Sequence, residues 1–297
     1  MRLFLKIFVS VSNIRDVAMT KPEPSMADLI EQRFGDPQDP LPDMEGQNLL
    51  SSMLGRGSCR SFEDRSISDE LLNVLVAAAL ASPTKSDLQQ RDIILIKSPT
   101  LRRDLSALVS GQAWVADAPM IAVFCGNNRR QRLLHDWAGV PFANHHLDAF
   151  FNASVDAAIA LGAFVTAAEA LGMGCCPISA VRNEADEVSK LLKLPDHVFP
   201  VAGLALGYPS GEPELSMRLP LKVTCHWDAY AEDNLEPLIS AYDEERRLTQ
   251  PYQNQRLKHA FGESNTYGWV EDKVRQYSQP ERETFGKFVR SKGFSLD

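Results

Sequence analysis

The longest helical pattern in the chain, Leu147–Leu171, is the feature that most restricts the fold. It is rich in Ala and Leu, and Asp156 is the main charged residue inside it. A helix that is apolar nearly all round is stable only when most of its surface is covered. The pattern therefore predicts a helix that lies at the centre of the domain or is buried between two subunits.

Composition limits the classes of protein to which such a helix can belong. The 297 residues allow one large domain or two small ones, and 44% hydrophobic with 24% charged residues is an ordinary globular mixture. A formal net charge of −8 argues against a general nucleic-acid binder, which needs a basic face. No uninterrupted apolar run reaches the roughly 20 residues that cross a bilayer, so we expect no membrane partner.

The N-terminus and the cysteines indicate the compartment. Residues Leu3–Val11 are apolar but interrupted by Lys6, which makes a poor secretory signal. The five cysteines are an odd number, and four lie in or beside apolar stretches where a thiol behaves as a small hydrophobe: Cys125, Cys175, Cys176 and Cys225. The adjacent pair is either a redox switch or two buried strand thiols, and we adopt the second interpretation. We expect a protein of the reducing cytoplasm.

Local patterns predict helices and short strands that intermix along the chain. The Pro-rich segment 20–45 is predicted to be an extended arm with one short helix near Met26–Phe34. Asp43 is predicted to cap the next helix, whose buried face holds Leu49, Leu50, Met53 and Leu54. Buried strands are predicted at Ile93–Ile96, Met120–Cys125, Cys175–Ser179 and Val201–Leu206, and Pro177 suits an edge strand.

Further helices complete the pattern. They are predicted after the cap residue Ser68, from Thr100 to Val109, from Asn183 to Leu194, and at Leu235–Leu248, Trp269–Tyr277 and Arg282–Arg290. Such a mixture of helices and strands is typical of a layered arrangement of helices around a sheet.

One short stretch, Arg56–Phe62, concentrates positive charge in this acidic chain; it reads Arg-Gly-Ser-Cys-Arg-Ser-Phe. An arginine fork fits phosphate or carboxylate, and a glycine permits close approach of backbone N–H groups. Residues two apart share a face of an extended segment, so Arg56, Ser58 and Arg60 can point at one anionic ligand. From these residues alone, a solvated basic loop remains the alternative.

Three other groups of residues are candidates for chemistry. His135, Asp136, His145, His146 and Asp148 are metal-ligand types, but their spacing matches no metal motif, and we predict no metal. Cys59 lies beside two arginines, which can lower the pKa of a thiol. The basic residues Arg246, Arg247, Arg256 and Lys258 either meet a second anionic ligand or form a solvated helix end. The sequence has no Rossmann glycine motif, Walker loop or Gly-x-Ser-x-Gly.

Several further motifs accompany Arg56–Phe62. They are a Ser-Pro loop ending in Gln, Ser82–Gln89; Gly111-Gln112 before the second strand; Ala168–Gly174 at the end of the long helix; Lys190–Pro195; and Gly203–Pro209. In this order they resemble the flavin-dependent nitroreductase family, and are most similar to its NADPH-preferring subgroup, from about Met53 to the C-terminus. The resemblance implies an α+β fold with a mixed, mostly antiparallel central sheet flanked by helices, in an intertwined homodimer.

The resemblance also implies a division of the chain. Residues 1–45 would be an N-terminal extension, partly flexible; residues 46–230 would form the FMN domain; and residues 231–297 would form a C-terminal helical arm that embraces the partner subunit.

The resemblance further implies two FMN sites at the subunit interface. Arg56 and Arg218 would bind the phosphate, and Arg60 and Gln112 would face the pyrimidine end of the flavin ring. Thr84 and its loop would come from the other protomer. The full set implied to contact FMN is Arg56, Gly57, Ser58, Cys59, Arg60, Thr84, Gln112, Pro177, Ile178, Ser179, Ala180 and Arg218.

Two departures from the family's pattern bear on this site. The family has Lys-Pro-Arg where this chain has Ser216-Met217-Arg218, so one phosphate-side cation is lost. It has Ile-Gly-Gly where this chain has Ile178-Ser179-Ala180, which places side chains where the family keeps the backbone bare.

The implied activity is hydride transfer from NAD(P)H to flavin N5, followed by two-electron reduction of a nitroaromatic, quinone or flavin acceptor in a ping-pong sequence. NADPH is expected rather than NADH, held partly by Arg256 or Lys258. No side-chain acid or base is required, so no catalytic residue is assigned, and Arg60 would stabilise the reduced flavin. The alternatives are a flavin-binding storage or sensor protein without turnover, and a flavin enzyme dedicated to one metabolite.

Overall fold

A four-stranded sheet lies at the centre of the protein, whose computed structural model describes residues 24–39, 41–42, 44–109 and 114–297. The strands are β1 (Arg91–Ile96), β2 (Met120–Asn127), β3 (Gly174–Ile178) and β4 (Val198–Gly207). Their order is β1-β2-β4-β3, and every pairing among them is antiparallel. The four predicted strands are therefore present. Pro177 lies on the edge strand β3, as predicted, because proline cannot donate a ladder hydrogen bond.

Helices surround this sheet and follow the order that the patterns predict. In the described residues they are α1 (Met26–Phe34), α2 (Gln47–Gly55), α3 (Asp69–Leu80), α4 (Pro99–Leu108), α5 (Trp114–Asp117), α6 (Arg129–Ala138), α7 (Leu147–Ala170), α8 (Ala185–Leu191), α9 (Leu221–Thr224), α10 (Leu235–Thr249), α11 (Lys258–Phe261), α12 (Trp269–Tyr277) and α13 (Phe285–Ser291). The sequence patterns did not predict α6 or the one-turn helices α5, α9 and α11.

The two faces of the sheet carry separate apolar clusters. Successive residues of a strand point to opposite faces, so Phe124 of β2 packs with α3 and α7 while its neighbour Val123 packs toward α4 and α8. The central strand β2 is buried along its whole length because helices cover both faces. The helix–sheet–helix layering confirms the expected α+β class.

Helix α7 is the predicted central helix. Small residues on one side, Ala153, Ala157 and Ala160, are fully buried and let the helix approach the sheet closely. By length and composition alone α7 could cross a membrane, but core helices of globular proteins pass the same test, and 39% of its most apolar window is buried inside the protein. Its other side exposes Phe151 and its neighbours Val155 and Ile159. The helix is thus central to the domain, with one apolar face uncovered by the described chain.

Two local predictions are wrong. Leu49, Leu50 and Met53 are exposed rather than buried, because no described part of the chain covers that side of α2. Helix α8 begins after Glu184 and not after Asn183, since a 3₁₀ turn over Ser179–Arg182 occupies the preceding residues.

Two predicted caps have different outcomes. The Ser68 cap is confirmed, because its hydroxyl accepts a hydrogen bond from the Leu71 N–H at 3.2 Å. Gly46 occupies the N-cap position of α2, and Asp43 lies outside the described residues.

Candidate functional site

The basic stretch Arg56–Phe62 runs beside the edge strand β3. The Cys59 N–H donates to the Cys175 carbonyl at 2.9 Å, and Phe62 forms an isolated bridge with Pro209. The stretch therefore lies along the edge of the sheet, held by main-chain contacts at Cys59 and Phe62 and by side-chain contacts such as that of Ser61 Oγ with Ser210 Oγ at 2.5 Å. This is the extended conformation that the sequence predicts.

Gly57 permits a close approach of two backbones. A Cβ at this position would collide with the Glu214 carbonyl oxygen and with the Pro213 side chain. Only glycine lets the segment before Ser216 lie against the basic stretch without displacing either chain. The absence of a side chain at residue 57 thus brings the two cationic segments of the sequence, around Arg56 and Arg218, together.

The side chains of the basic stretch separate into two groups. Ser58 and Arg60 lie beside Cys176, where burial raises the pKa of the thiol and these two neighbours oppose the rise. Arg56 instead turns toward the end of α7. Arg56, Ser58 and Arg60 therefore do not point at one ligand, as the alternation of side chains along an extended segment suggests. The reason is that a carboxylate on α7 attracts Arg56.

That carboxylate belongs to Glu169. Arg56 Nε lies 2.9 Å from Glu169 Oε2, and Arg56 Nη2 lies 3.0 Å from Oε1, so the two side chains pair fork to fork. Both are mostly buried, with side-chain exposures of 24% and 12%. Burial raises the pKa of Glu169 above its ordinary value, although Arg56 and Arg33 oppose the rise. The charge of Arg56 is therefore largely balanced within the protein.

Two more arginines lie next to this pair. The Arg218 N–H donates to the Arg33 carbonyl at 2.6 Å, and the Arg218 guanidinium contacts the Ser216 hydroxyl at 2.5 Å. Burial, together with the neighbouring charges of Arg218 and Arg56, lowers the pKa of Arg33 to about 10, so the group stays protonated at neutral pH. The structure thus brings together Arg56 and Arg218, as the resemblance implies.

Arg33 is a site residue that sequence reasoning missed. It lies on α1, in the segment expected to be an extension, and only 4% of it is exposed. A signal was present, because Arg33 follows Leu29 by four positions and so shares its helix face, which is the buried one.

A cavity of about 640 Å³ opens where these segments meet. Five cations line it: Arg33, Arg56, Arg218, Arg246 and Lys273. Aromatic rings form other parts of its wall: Phe34, Tyr242, Tyr252 and Trp269. Among the described residues, no carboxylate is part of the lining. Glu169 and Asp272, which lie outside the lining, form ion pairs with Arg56 and Lys273. The cavity is therefore a positively charged pocket in a protein of negative net charge.

The Thr84 loop lies in another part of the protomer. The Thr84 hydroxyl donates to Asp156 Oδ2 at 2.5 Å, and the backbone N–H groups of Lys85 and Gln90 donate to the same carboxylate at 2.9 Å each. Asp156 is in the middle of α7, about 20 Å along the helix axis from Glu169. Thr84 and Arg56 therefore do not meet within one chain. Gln112 lies outside the described residues.

The turn after β3 carries the remaining predicted positions. Pro177 and Ser179 are exposed, whereas Ile178 and Ala180 are buried in the core. The Ser179 hydroxyl accepts a hydrogen bond from Arg282 Nη2 at 3.3 Å, so the side chain that replaces a family glycine is tied to the segment before α13. Arg60 is exposed beside this turn, and its guanidinium lies 5.9 Å from the Trp114 ring.

Two cysteines differ from what their sequence neighbours suggest. Burial raises the pKa of the Cys59 thiol above its ordinary value and outweighs the opposing effects of the Ser61 backbone and the Arg60 charge. Cys225 is exposed and not buried.

The candidate metal ligands near α6 and the basic residues near the C-terminus were the two other groups singled out in the sequence. Within the described ranges, the histidines and acids near α6 do not gather into a metal-binding cluster of three or more ligands. Arg256 and Lys258 each pair with a carboxylate, Asp272 and Glu263 respectively.

Comparisons with known proteins agree with this architecture. The model of the Nitroreductase family matches residues 53–208, and that of its C-terminal domain matches residues 216–297. The chain is 30% identical to an FMN reductase (NAD(P)H) of Bacillus subtilis, over 84% of this chain and 98% of that protein. It is 36% identical to an oxygen-insensitive NADPH nitroreductase of Salmonella typhimurium, over 66% and 80% of the two chains.

Solved structures give the same result. The NADPH:FMN oxidoreductase of Vibrio harveyi, solved in complex with NAD⁺, superimposes with a TM-score of 0.72 and 27% identity, over 83% of this chain and 98% of that one. The segments matched by the two family models contain Arg56 and Arg218 respectively. The chain therefore belongs to the nitroreductase family.

Proposed function

We propose that this protein is an FMN-dependent NAD(P)H oxidoreductase that reduces small-molecule acceptors: nitroaromatics, quinones or flavins. The observation that carries the proposal is the convergence of Arg56 and Arg218 on one cavity, since the family's phosphate positions correspond to these residues. The relatives named FMN reductase and NADPH nitroreductase support the choice of cofactor and donor.

The residues of the cavity fit the phosphate end of FMN. A phosphate monoester carries nearly two negative charges at neutral pH and is best held by arginine forks. The pocket offers Arg218 and Arg33 without a carboxylate within ion-pair distance among the described residues. Gly57 keeps the backbone bare where the two cationic segments touch. The chemistry of the donors and the shape of the chain are thus both suited to this anion.

Residues beside β3 fit the other end of the cofactor. Arg60 places a cation near the exposed Pro177–Ser179 turn, where the pyrimidine side of the ring would lie. Bound FMN would supply the redox chemistry, accepting a hydride from NAD(P)H and delivering two electrons to the acceptor. Arg60 would stabilise negative charge at the pyrimidine end by a fixed electrostatic contact. The edge strand β3, packed against the core, would keep one side of the site rigid and dry.

We also propose that the working unit is a homodimer. The exposed apolar residues of α2 and α7, including Leu49, Met53, Phe151 and Ile159, form a surface that a second copy would cover. The Asp156 contact holds the Thr84 loop far from Arg56 of its own chain, which favours its contribution to the partner's site. On this proposal residues 46–230 are the FMN domain and residues 231–297 are the arm that embraces the partner. The four buried, unpaired cysteines suit the reducing cytoplasm.

One experiment tests the activity directly. The purified protein should show a flavin absorbance spectrum and should oxidise NADPH in the presence of a quinone. Initial rates at several quinone concentrations should give parallel double-reciprocal lines, as a ping-pong sequence requires. A protein that contains flavin and oxidises neither nicotinamide donor would reject the enzymatic proposal.

A storage or sensor protein without turnover is the second candidate. Two observations favour it: Ser216 stands where the family has lysine, and the Ser179 hydroxyl is fixed by Arg282 over the turn where the family keeps the backbone bare. The same kinetic assay distinguishes the two, because a storage protein would bind FMN and release it without consuming NADPH.

A further inference from the structure

Helix α1 lies before the part of the chain that the family model matches. That match begins at residue 53, whereas α1 spans Met26–Phe34. The helix is nonetheless well formed, because Ser25 and Asp28 make a reciprocal capping box and Gly35 ends the helix in the left-handed conformation. It is anchored to the site, since the Leu221 N–H donates to Asp36 at 3.1 Å just beyond it. Helix α1 therefore lies outside the matched segment and is joined to the site by contacts of its own.

The side chain of Arg33 reaches from α1 into the cationic cavity. Its Nε donates to the Leu54 carbonyl at 2.7 Å, its Nη2 to the Arg56 carbonyl, and its Nη1 to the Ser216 carbonyl at 3.5 Å. A guanidinium has five N–H groups, and the described residues accept from three of them. One N–H on each Nη atom remains for a ligand. The three carbonyls fix the fork in place before any ligand arrives.

Arg33 meets the site at the dipeptide that departs from the family's pattern. The Ser216 carbonyl accepts from Arg33 and, at 3.4 Å, from Arg218 Nη1. The next carbonyl, that of Met217, accepts from Arg218 at 3.3 Å and from Arg246 at 3.1 Å. The guanidinium groups of three arginines thus gather around Ser216-Met217, where the family has Lys-Pro.

The charges of these arginines are not balanced in the same way. Arg56 is paired with Glu169, but among the described residues neither Arg33 nor Arg218 has a carboxylate within 4.0 Å. Burial and then the neighbouring charge of Arg218 lower the pKa of Arg33, so the two guanidinium groups repel each other. A dianion between them would relieve this repulsion and gain charge-assisted hydrogen bonds.

We propose that Arg33 is a phosphate-binding residue of the flavin site, and that α1 supplies through it the cation that a lysine supplies in other members of the family. The ligand class is a phosphate monoester, and on the proposed function it is the 5′-phosphate of FMN. The inference rests on that function. Arg33 would then replace the cation that is lost with the family's lysine at residue 216.

Riboflavin, which is FMN without the phosphate, provides the test. The dissociation constants of both flavins are measured on the flavin-free full-length protein by quenching of flavin fluorescence, for the wild type, Arg33→Gln and Arg33→Lys. Arg33→Gln should weaken FMN binding roughly 10- to 100-fold and leave riboflavin binding unchanged. Arg33→Lys keeps the charge but loses the fork. It should raise the logarithm of the FMN dissociation constant by less than half as much as Arg33→Gln does.

A rescue separates the charge of Arg33 from its packing. The double variant Arg33→Gln, Ser216→Lys restores a cation at the family's position, and it should recover most of the FMN affinity. The thermal midpoint of each flavin-free variant reports whether α1 stays folded. Ser25→Ala, which weakens the cap of α1 without touching the cavity, should leave the FMN-to-riboflavin affinity ratio unchanged.

The possible failures are distinguishable. Equal weakening for FMN and riboflavin, or no recovery with Ser216→Lys, would mean that Arg33 only supports the backbone, and the proposal would be overturned. Unchanged FMN binding in Arg33→Gln would overturn it as well. A wild-type protein that binds neither flavin would instead reject the proposed function.

Discussion

Asp156 of α7 binds the Thr84 loop through one fully buried carboxylate. The Thr84 hydroxyl donates to Oδ2 at 2.5 Å, and two backbone N–H groups of the same loop donate at 2.9 Å. A single carboxylate in an apolar helix thus accepts hydrogen bonds from three donors of one loop. The contact joins the longest helix of the core to a loop that we assign to the partner's flavin site.

We predict that Asp156→Asn lowers the free energy of unfolding by about 2–4 kcal/mol, because an amide has one acceptor oxygen and presents N–H groups to the remaining donors. Denaturant unfolding of the flavin-free protein measures this. Asp148→Asn, at the exposed start of α7, is the matched control and should cost no more than about 1 kcal/mol, the value of one charge at a helix N-terminus. Equal decreases in the free energy of unfolding of the two variants would show that the buried Asp156 contact stabilises the fold no more than an exposed aspartate does.

Arg218 should contribute to FMN affinity through its charge. Charge-assisted hydrogen bonds are each worth roughly 1.5–3 kcal/mol, so Arg218→Ala should raise the dissociation constant of FMN by about one to two powers of ten. Equilibrium titration of the flavin-free protein measures the constant. An unchanged value would remove Arg218 from the site, although its backbone contact with Arg33 would remain.

Local periodicity predicted the strands and the long helix, and the resemblance to the family implied that Arg56 and Arg218 lie at one site. Sequence reasoning failed for Arg33 and for Leu49, whose environments depend on which distant segment covers them. The helix at Met26–Phe34 was predicted within the Pro-rich segment 20–45 and is confirmed, but its contact with the site through the buried Arg33 was not predicted. The direction of the Arg56 side chain, toward Glu169, could not be predicted either. The alternation of side chains along an extended segment does not depend on a charge carried by a distant helix.

The stability of the protein should depend on pH through Glu169. Its folded pKa is raised above the ordinary 4.5, so the folded state binds a proton more tightly than the unfolded state does. The contribution of this group is therefore largest below pH 4.5 and is lost as the pH rises through the folded pKa. The measurement is the difference between the unfolding free energies of the wild type and Glu169→Gln. This difference should decrease as the pH rises through that range, by at most about 1.4 kcal/mol per pH unit.

The variant Arg56→Gln provides the comparison for this pH effect. Arg56 lowers the pKa of Glu169, so its removal should extend the fall in stability to higher pH. Two results would contradict this account of the pair. One is a difference between wild type and Glu169→Gln that does not change with pH, and the other is a fall in stability that occurs at lower pH in Arg56→Gln than in the wild type.

The exposed face of α7 should hold the homodimer together. Ile159 is 37% exposed in the single chain, and burying an aliphatic side chain of this size contributes about 1.5–3 kcal/mol. Ile159→Lys should therefore weaken the dimer at least about tenfold, measured by sedimentation over a dilution series, whereas Ile159→Val should remain a dimer. A flavin-loaded wild-type monomer at high concentration would refute the assembly itself.

NADPH should be the preferred electron donor, with Arg256 or Lys258 meeting its 2′-phosphate. That phosphate is the only group that distinguishes the two donors, so a preference must come from cations placed to contact it. Both cations already have a carboxylate partner: Asp272 lies 3.1 Å from Arg256, and Glu263 lies 2.7 Å from Lys258. Binding would therefore require the phosphate to compete with that carboxylate, which is easiest at Lys258 because its pair is the more exposed.

The test is the ratio of kcat/KM for NADPH and NADH in the wild type, Arg256→Ala and Lys258→Ala. Loss of one phosphate contact should cost about 1.5–3 kcal/mol in NADPH efficiency and almost nothing with NADH. Equal wild-type efficiencies would refute the preference. A preference that survives both substitutions would exclude these two residues and leave Arg246 and Arg247 as the next cations to test.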